Sequence, residues 1–178
     1  MLSKLKTAIV LVIIGAFSGF LIWGTNELTK QDISDAAFDR EITAYKEIFD
    51  VDTIDEDNLG ITEFENIIAK EVVVYDLDGN VIGYVYQGFD NNNYGEVEVL
   101  IGIHLDGTIA KVIIQSTTNT VTFVKTIKDG HLEPFTGQDA SDVAYDARTG
   151  ATYTYTSVSD IVAASTAYYE ANRGDNNE

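Results

Sequence analysis

The chain has no cysteine among its 178 residues. Disulfides, thiolate metal sites, iron–sulfur ligation and a cysteine nucleophile are all excluded by that one absence. Two histidines, His104 and His131, are too few for a multi-histidine zinc or haem site. Proline occurs once, at Pro134. Basic residues are scarce: eleven lysines and arginines face 29 acidic residues, for a net charge of −18. Such a surface repels phosphate backbones, so nucleic acid is not an expected partner. What remains, 45% hydrophobic and 22% charged residues, is the composition of a globular protein of about one domain.

The charge is absent from one stretch altogether. Residues 7–26 carry no charged side chain and include Ile9, Val10, Leu11, Val12, Ile13, Ile14, Phe17, Phe20, Leu21 and Ile22. At about 1.5 Å per residue the run reaches the roughly 30 Å of a bilayer core. Gly15 and Gly19 form a small-xxx-small pair, and Trp23 sits near the far end, where interfacial tryptophans collect. Lys4 and Lys6 precede the run, which places the short N-terminus in the cytoplasm and the rest outside. A cleaved secretion signal would be shorter and would end in a small-x-small site, which this segment lacks. Beyond residue 26 there are nine basic and all 29 acidic residues, a net charge of −20.

Residues 28–49 read as an amphipathic helix, with Ile33, Ala36, Ala37, Tyr45, Ile48 and Phe49 at spacings of three and four. An acidic loop over 50–60 follows, then a short helix or irregular segment over 61–69. The loop places Asp55, Asp57 and Gly60 at positions 1, 3 and 6 of an EF-hand frame, but Leu59 and Asn66 stand where ligands are required. It is therefore not a calcium site. Two hairpins come next, 71–76 with 81–87 and 97–104 with 108–116. Each turns through Leu-Asp-Gly, whose glycine supplies the positive φ of the turn. His104 at a strand end and His131 beside Asp129-Gly130 read as structural residues. The last helix is expected over 157–171, opened by Ser157 or Ser159 as N-cap.

Directly before that helix stands Asp146-Ala147-Arg148-Thr149-Gly150-Ala151-Thr152. Read from its residue types alone, it is a small-residue approach to a helix, its threonines serving turn and cap. It also resembles the Asp-x-x-Ser/Thr-Gly-Ala-Thr flavinylation motif of the FMN-binding domain family. That family includes the G subunit of the Rnf electron-transport complex and the C subunit of the sodium-pumping NADH:quinone reductase. Further likenesses are Asn26-Glu27-Leu28-Thr29 after the apolar span and Leu100 to Ile109 around the second hairpin, so that nearly the whole chain is covered. The Rnf G subunit is the better fit, because the reductase C subunit is usually longer.

The resemblance implies covalent FMN, joined through a phosphoester to Thr152 by a separate flavin transferase. Asp146, Thr149, Gly150 and Ala151 would shape the motif. It further implies an electron-transfer subunit, not a stand-alone enzyme, whose partners are the other subunits of a membrane-bound, ion-translocating complex. Another extracellular flavinylated carrier, and an anchored non-redox binding or scaffold module, are the alternatives. One departure bears on the flavin surroundings. The family usually carries Glu-Thr-Pro-Gly-Leu-Gly after the second hairpin, whereas residues 116–124 here have neither proline nor glycine. The expected architecture is α+β, an antiparallel sheet packed with helices on one N-terminal transmembrane helix. Its parts are a cytoplasmic N-terminus over 1–6, the span over 7–26, a helical membrane-proximal segment over 27–69, the FMN-binding domain over 70–171 and a polar tail over 172–178.

Overall fold

The computed structural model describes residues 2–145 and 151–174, without the side chains of 2–5, 7 and 26–35. The chain divides into two units, 1–41 and 42–178. The first unit consists of helix, the greater part of α1 (Leu2–Phe49). Its stretch Ala8–Thr25, of mean hydropathy 2.2, is long and apolar enough to cross a membrane, and none of it is buried. Ile9 through Trp23 expose large apolar side chains that a soluble protein would cover.

The second unit holds the last turns of α1 and a five-stranded sheet. The strands are β1 (Gly60–Glu63), β2 (Ile68–Tyr75), β3 (Val81–Asn92), β4 (Gly95–His104) and β5 (Ile109–Thr117). They pair in chain order and every pairing is antiparallel. After the sheet come α2 (Val121–Lys128), a 3₁₀ turn (Glu133–Phe135) and α3 (Thr152–Asn172). The α+β expectation stands.

Alternation along the strands builds two cores, because successive side chains point to opposite faces. On one face Val72, Val74, Val85 and Leu100 pack with Ile42, Tyr45, Ile48 and Phe49 of α1. On the other, Tyr86, Val97, Val99, Ile101 and Ile103 pack with Tyr155, Val158, Ile161, Val162 and Tyr169 of α3 and with Ile127 of α2. The central strands are thus covered on both sides. Their glycines admit the helices. A Cβ at Gly102 would run into the Ile48 side chain, and one at Gly88 into Ile161.

The two Asp-Gly turns form as expected, with Gly79 at φ 83° and Gly107 at φ 85°. His104 ends β4 and sets its ring edge-on to Phe49, 5.6 Å between centroids; His131 does the same against Tyr155 at 6.0 Å. Both histidines are packing residues. Two expectations change. Residues 61–69 are not helical, since Gly60–Glu63 forms an edge strand on β2 and Ile68 opens β2 itself. The last helix begins five residues before Ser157, at Thr152, with Ala151 at the cap position. Neither serine caps it. Ser157 lies within the helix, buried and accepting a hydrogen bond from Asn92 at 2.9 Å.

One polar contact fixes the far end of α3. Glu71, in β2 and 1% exposed, accepts hydrogen bonds from Tyr86 Oη and Arg173 Nη2, each at 2.9 Å. Arg173 follows the helix and also lies over the Tyr84 ring, 4.9 Å from its centroid. Burial and the Glu71 carboxylate push the Tyr86 phenol far above its ordinary value, so it stays protonated as a donor.

Candidate functional site

Thr152 is the first residue of a 21-residue helix and is exposed to solvent. The first N–H groups of any helix lack intrahelical acceptors. The residue at its cap position, Ala151, makes no side-chain cap hydrogen bond, and no acidic residue occupies its first turn. Both features suit an anion, because the helix dipole and the amide hydrogens favour negative charge at this end.

Three segments meet around this helix start. The β3–β4 hairpin turns at Asn92–Gly95, where Tyr94 N–H donates to Asn92 Oδ1 at 2.9 Å and Gly95 takes φ 128°. The stretch after β5 brings in Asn119, 5% exposed, and α2 brings in Phe123. A cleft of about 160 Å³ is lined by Tyr94, Phe123, Ala151, Thr152, Tyr153 and Thr154. Tyr94 sets its ring edge-on to Tyr153 at 5.4 Å and to Phe123 at 5.9 Å. Tyr94 and Tyr153 are 48% and 51% exposed, so both side chains remain accessible beside Thr152.

Beneath the aromatic rim lies a polar network. Asn119 Nδ2 donates to Thr154 Oγ1 at 2.9 Å and to Asn92 Oδ1 at 3.3 Å. Asn92 Nδ2 in turn reaches Ser157 Oγ. The hairpin is thereby tied to the first two turns of α3.

The structure supports the placement of Ala151 and Thr152 at one cleft. Asp146, Thr149 and Gly150 lie outside the described residues. Sequence reasoning missed Asn92, Tyr94, Asn119, Tyr153 and Thr154. A signal for the hairpin was present in Asn91-Asn92-Asn93-Tyr94-Gly95, an asparagine-glycine run between two β-rich segments. Nothing local marks Asn119.

A larger cavity, about 490 Å³, opens along β5 between Glu47, Lys111, Leu132 and Thr136. Size alone would favour it. Its charged lining is balanced, Glu47 and Glu133 against Lys111 and Lys128, with Lys111 Nζ 3.0 Å from Glu47, and it contains none of the motif residues. Among the described residues no cluster of three His, Asp or Glu side chains could hold a metal ion.

The residues at the smaller cleft fit a flavin phosphate. A hydroxyl stands at a helix start, amide donors suit the phosphate, and exposed aromatic side chains suit a planar ring. The cleft is smaller than the roughly 300–1,000 Å³ of pockets that bury a ligand whole. It suits a ring resting partly on the surface. Residues 93–166 match the family model of the FMN-binding domain, from the β3–β4 turn through most of α3. That match supports FMN as the cofactor and a flavin-binding electron-transfer module as the role. No curated protein matches the chain.

Proposed function

We propose that this protein is a membrane-anchored electron carrier with FMN joined through its phosphate to Thr152 Oγ. One observation carries the reading: within the segment that matches the FMN-binding domain, the motif's last threonine is the exposed first residue of a long helix in an aromatic-rimmed cleft. The flavin would supply one- and two-electron chemistry, and the protein its position and electrostatic surroundings. Thr152 would provide the ester oxygen: as its Oγ–phosphorus bond forms on the transferase, the phosphoanhydride bond of a flavin dinucleotide donor would break, the nucleoside monophosphate would leave, and the hydroxyl proton would pass to a base. The first-turn amides would hold the remaining phosphate charge, and Tyr94 and Tyr153 would offer the ring a surface.

Covalent attachment accords with a location outside the cytoplasm. A noncovalent cofactor released there is diluted without return, whereas an ester holds it regardless of affinity. The apolar stretch Ala8–Thr25 is the anchor, with Lys4 and Lys6 on the cytoplasmic side. We read the chain as the G subunit of an Rnf-type ion-translocating complex, loaded by a flavin transferase and exchanging electrons with the other subunits.

The test is co-expression with a flavin transferase, followed by intact-mass analysis and in-gel fluorescence under denaturing conditions. The parent should gain the mass of one flavin phosphate. Thr152→Ala and Thr152→Val should gain nothing while keeping the parent's circular dichroism. Full loading of Thr152→Ala would refute the site, and an unloaded parent beside an active transferase would refute the carrier.

A further inference from the structure

The charge of the chain avoids the surroundings of the cleft. Three segments meet there: the β3–β4 turn, the stretch from β5 into α2, and the start of α3. Residues 91–95, 112–124 and 151–159 carry no charged side chain, whereas at the chain's 22% such a set would hold about six. Charge returns at their borders, at Asp90, Glu96, Lys125 and Asp160. Contacts join the three segments into one surface. Tyr94 meets both Phe123 and Tyr153, and Asn119 ties Asn92 to Thr154. Val121 opens α2 on this surface and, among the described residues, is the most exposed large apolar side chain, at 80%.

An uncharged centre with exposed tyrosines and a charged border is the make-up of a protein interface, where charge is depleted in the core and kept to the rim. A charged partner surface would lose its water here and gain no opposite charge in return. Anionic lipid is drawn by lysine and arginine, and the three segments contain neither. A second copy would bring a like charge of −20 alongside the first. The surface also surrounds Thr152, where a protein that exchanges electrons with the flavin has to approach. We infer that the redox partner docks on this face and presents an uncharged surface of apolar and aromatic side chains. This rests on the flavin reading above and adds to it the kind of protein surface that meets the cofactor.

The cysteine-free chain allows a direct test, because Val121→Cys accepts a single polarity-sensitive fluorophore. Full-length labelled protein in nanodiscs is compared alone and with the other subunits of its complex. Emission should shift to the blue only with the subunits present. Blue emission from the chain alone would mean that lipid or a second copy covers the face, and no shift with the subunits would mean that nothing docks there; either overturns the inference. Electron transfer gives the second measurement. Flavin loading is checked by intact mass, and flavin reduction is then timed after NADH is added to the assembled complex. Val121→Glu should slow reduction at least about tenfold, since docking would desolvate the new carboxylate. Its melting temperature should hold, because an acidic residue suits a helix N-terminus. Leu77→Glu adds the same charge in the β2–β3 turn, at the opposite end of the sheet, and should stay within about twofold of the parent. Val121→Thr, uncharged and of similar shape, should do the same. Equal rates in the parent and Val121→Glu, or equal slowing by Leu77→Glu, overturn the docking face. A parent that takes up no flavin removes the carrier reading and this face together, an outcome distinct from a loaded parent with indifferent variants.

Discussion

Arg173→Met tests how α3, and with it Thr152, is held to the sheet. The substitution keeps an apolar stem over Tyr84 and removes the guanidinium that donates to Glu71 at 2.9 Å. Glu71 is then left with one donor, Tyr86 Oη, at a site 1% exposed. Breaking a fully buried ion pair costs about 3–5 kcal/mol, because the surviving charge stays desolvated. Here the arginine side chain is 36% exposed, so water screens the pair and a cost below that scale, about 2–3 kcal/mol, is the expectation. Loss of the cation–π contact over Tyr84 adds roughly 0.5 kcal/mol.

Urea unfolding of the full-length protein in detergent, followed by far-ultraviolet circular dichroism, measures the cost. At roughly 3–5 °C per kcal/mol for a domain of this size, the melting temperature should drop by about 10 °C. The double variant Arg173→Met, Glu71→Gln carries no buried charge and should recover more than half of the loss. A cost below about 0.5 kcal/mol for Arg173→Met, or no recovery in the double variant, would refute the view that a desolvated carboxylate dominates here.

Gly102→Ala should destabilise by about 1–3 kcal/mol in the same assay, since its Cβ would overlap Ile48 in a packed helix–sheet contact. Acid should weaken the fold through three turn aspartates. Asp76, Asp106 and Asp139 are held below the usual carboxylate range by hydrogen bonds from Asn80, Thr108 and Ser141. A lowered folded-state pKa gives stability that is full above the unfolded value of about 3.9 and is lost as pH falls through the folded value. The melting temperature should therefore decline below about pH 4, and less so in Asp106→Asn. External protease on intact spheroplasts should digest residues 42–178, and protection of the full-length chain would reverse the proposed orientation.

The sheet was largely legible because its turns carry their own chemistry. Asp-Gly at 78–79 and 106–107 sets a positive φ whatever the surroundings, so both hairpins follow from local sequence. The apolar run over 7–26 is equally plain. The start of α3 was not. Thr152-Tyr153-Thr154-Tyr155-Thr156 is β-branched and aromatic, with the alternation of a strand, while Ser157 and Ser159 look like caps. Tertiary packing decides otherwise. Thr154 and Tyr155 are buried against the domain, and Ser157 spends its oxygen on Asn92. Edge strand β1 escaped notice for the opposite reason. Only four residues long, it is mostly exposed and has no alternation to display.

The stretch after β5 is held by side chains where the resemblance implied a Pro-Gly segment. The resemblance implied a Pro-Gly segment near the flavin, and its absence left that wall undefined in sequence. In the structure the segment is stitched to the start of β4 by side chains. Thr117 Oγ1 donates to the Glu96 carbonyl at 2.7 Å and accepts from Asn119 N–H at 3.0 Å, while Thr118 Oγ1 accepts from Glu96 N–H at 2.9 Å. Gly95 permits this approach, since a Cβ there would strike Thr118. Hydroxyls thus fix this stretch, and Asn119 is delivered, buried, to the first turn of α3. A hydrophobic residue at 119 would fill the space but could not join Asn92 to Thr154. Polar residues in this wall therefore close the loop and join the β3–β4 turn to the start of α3.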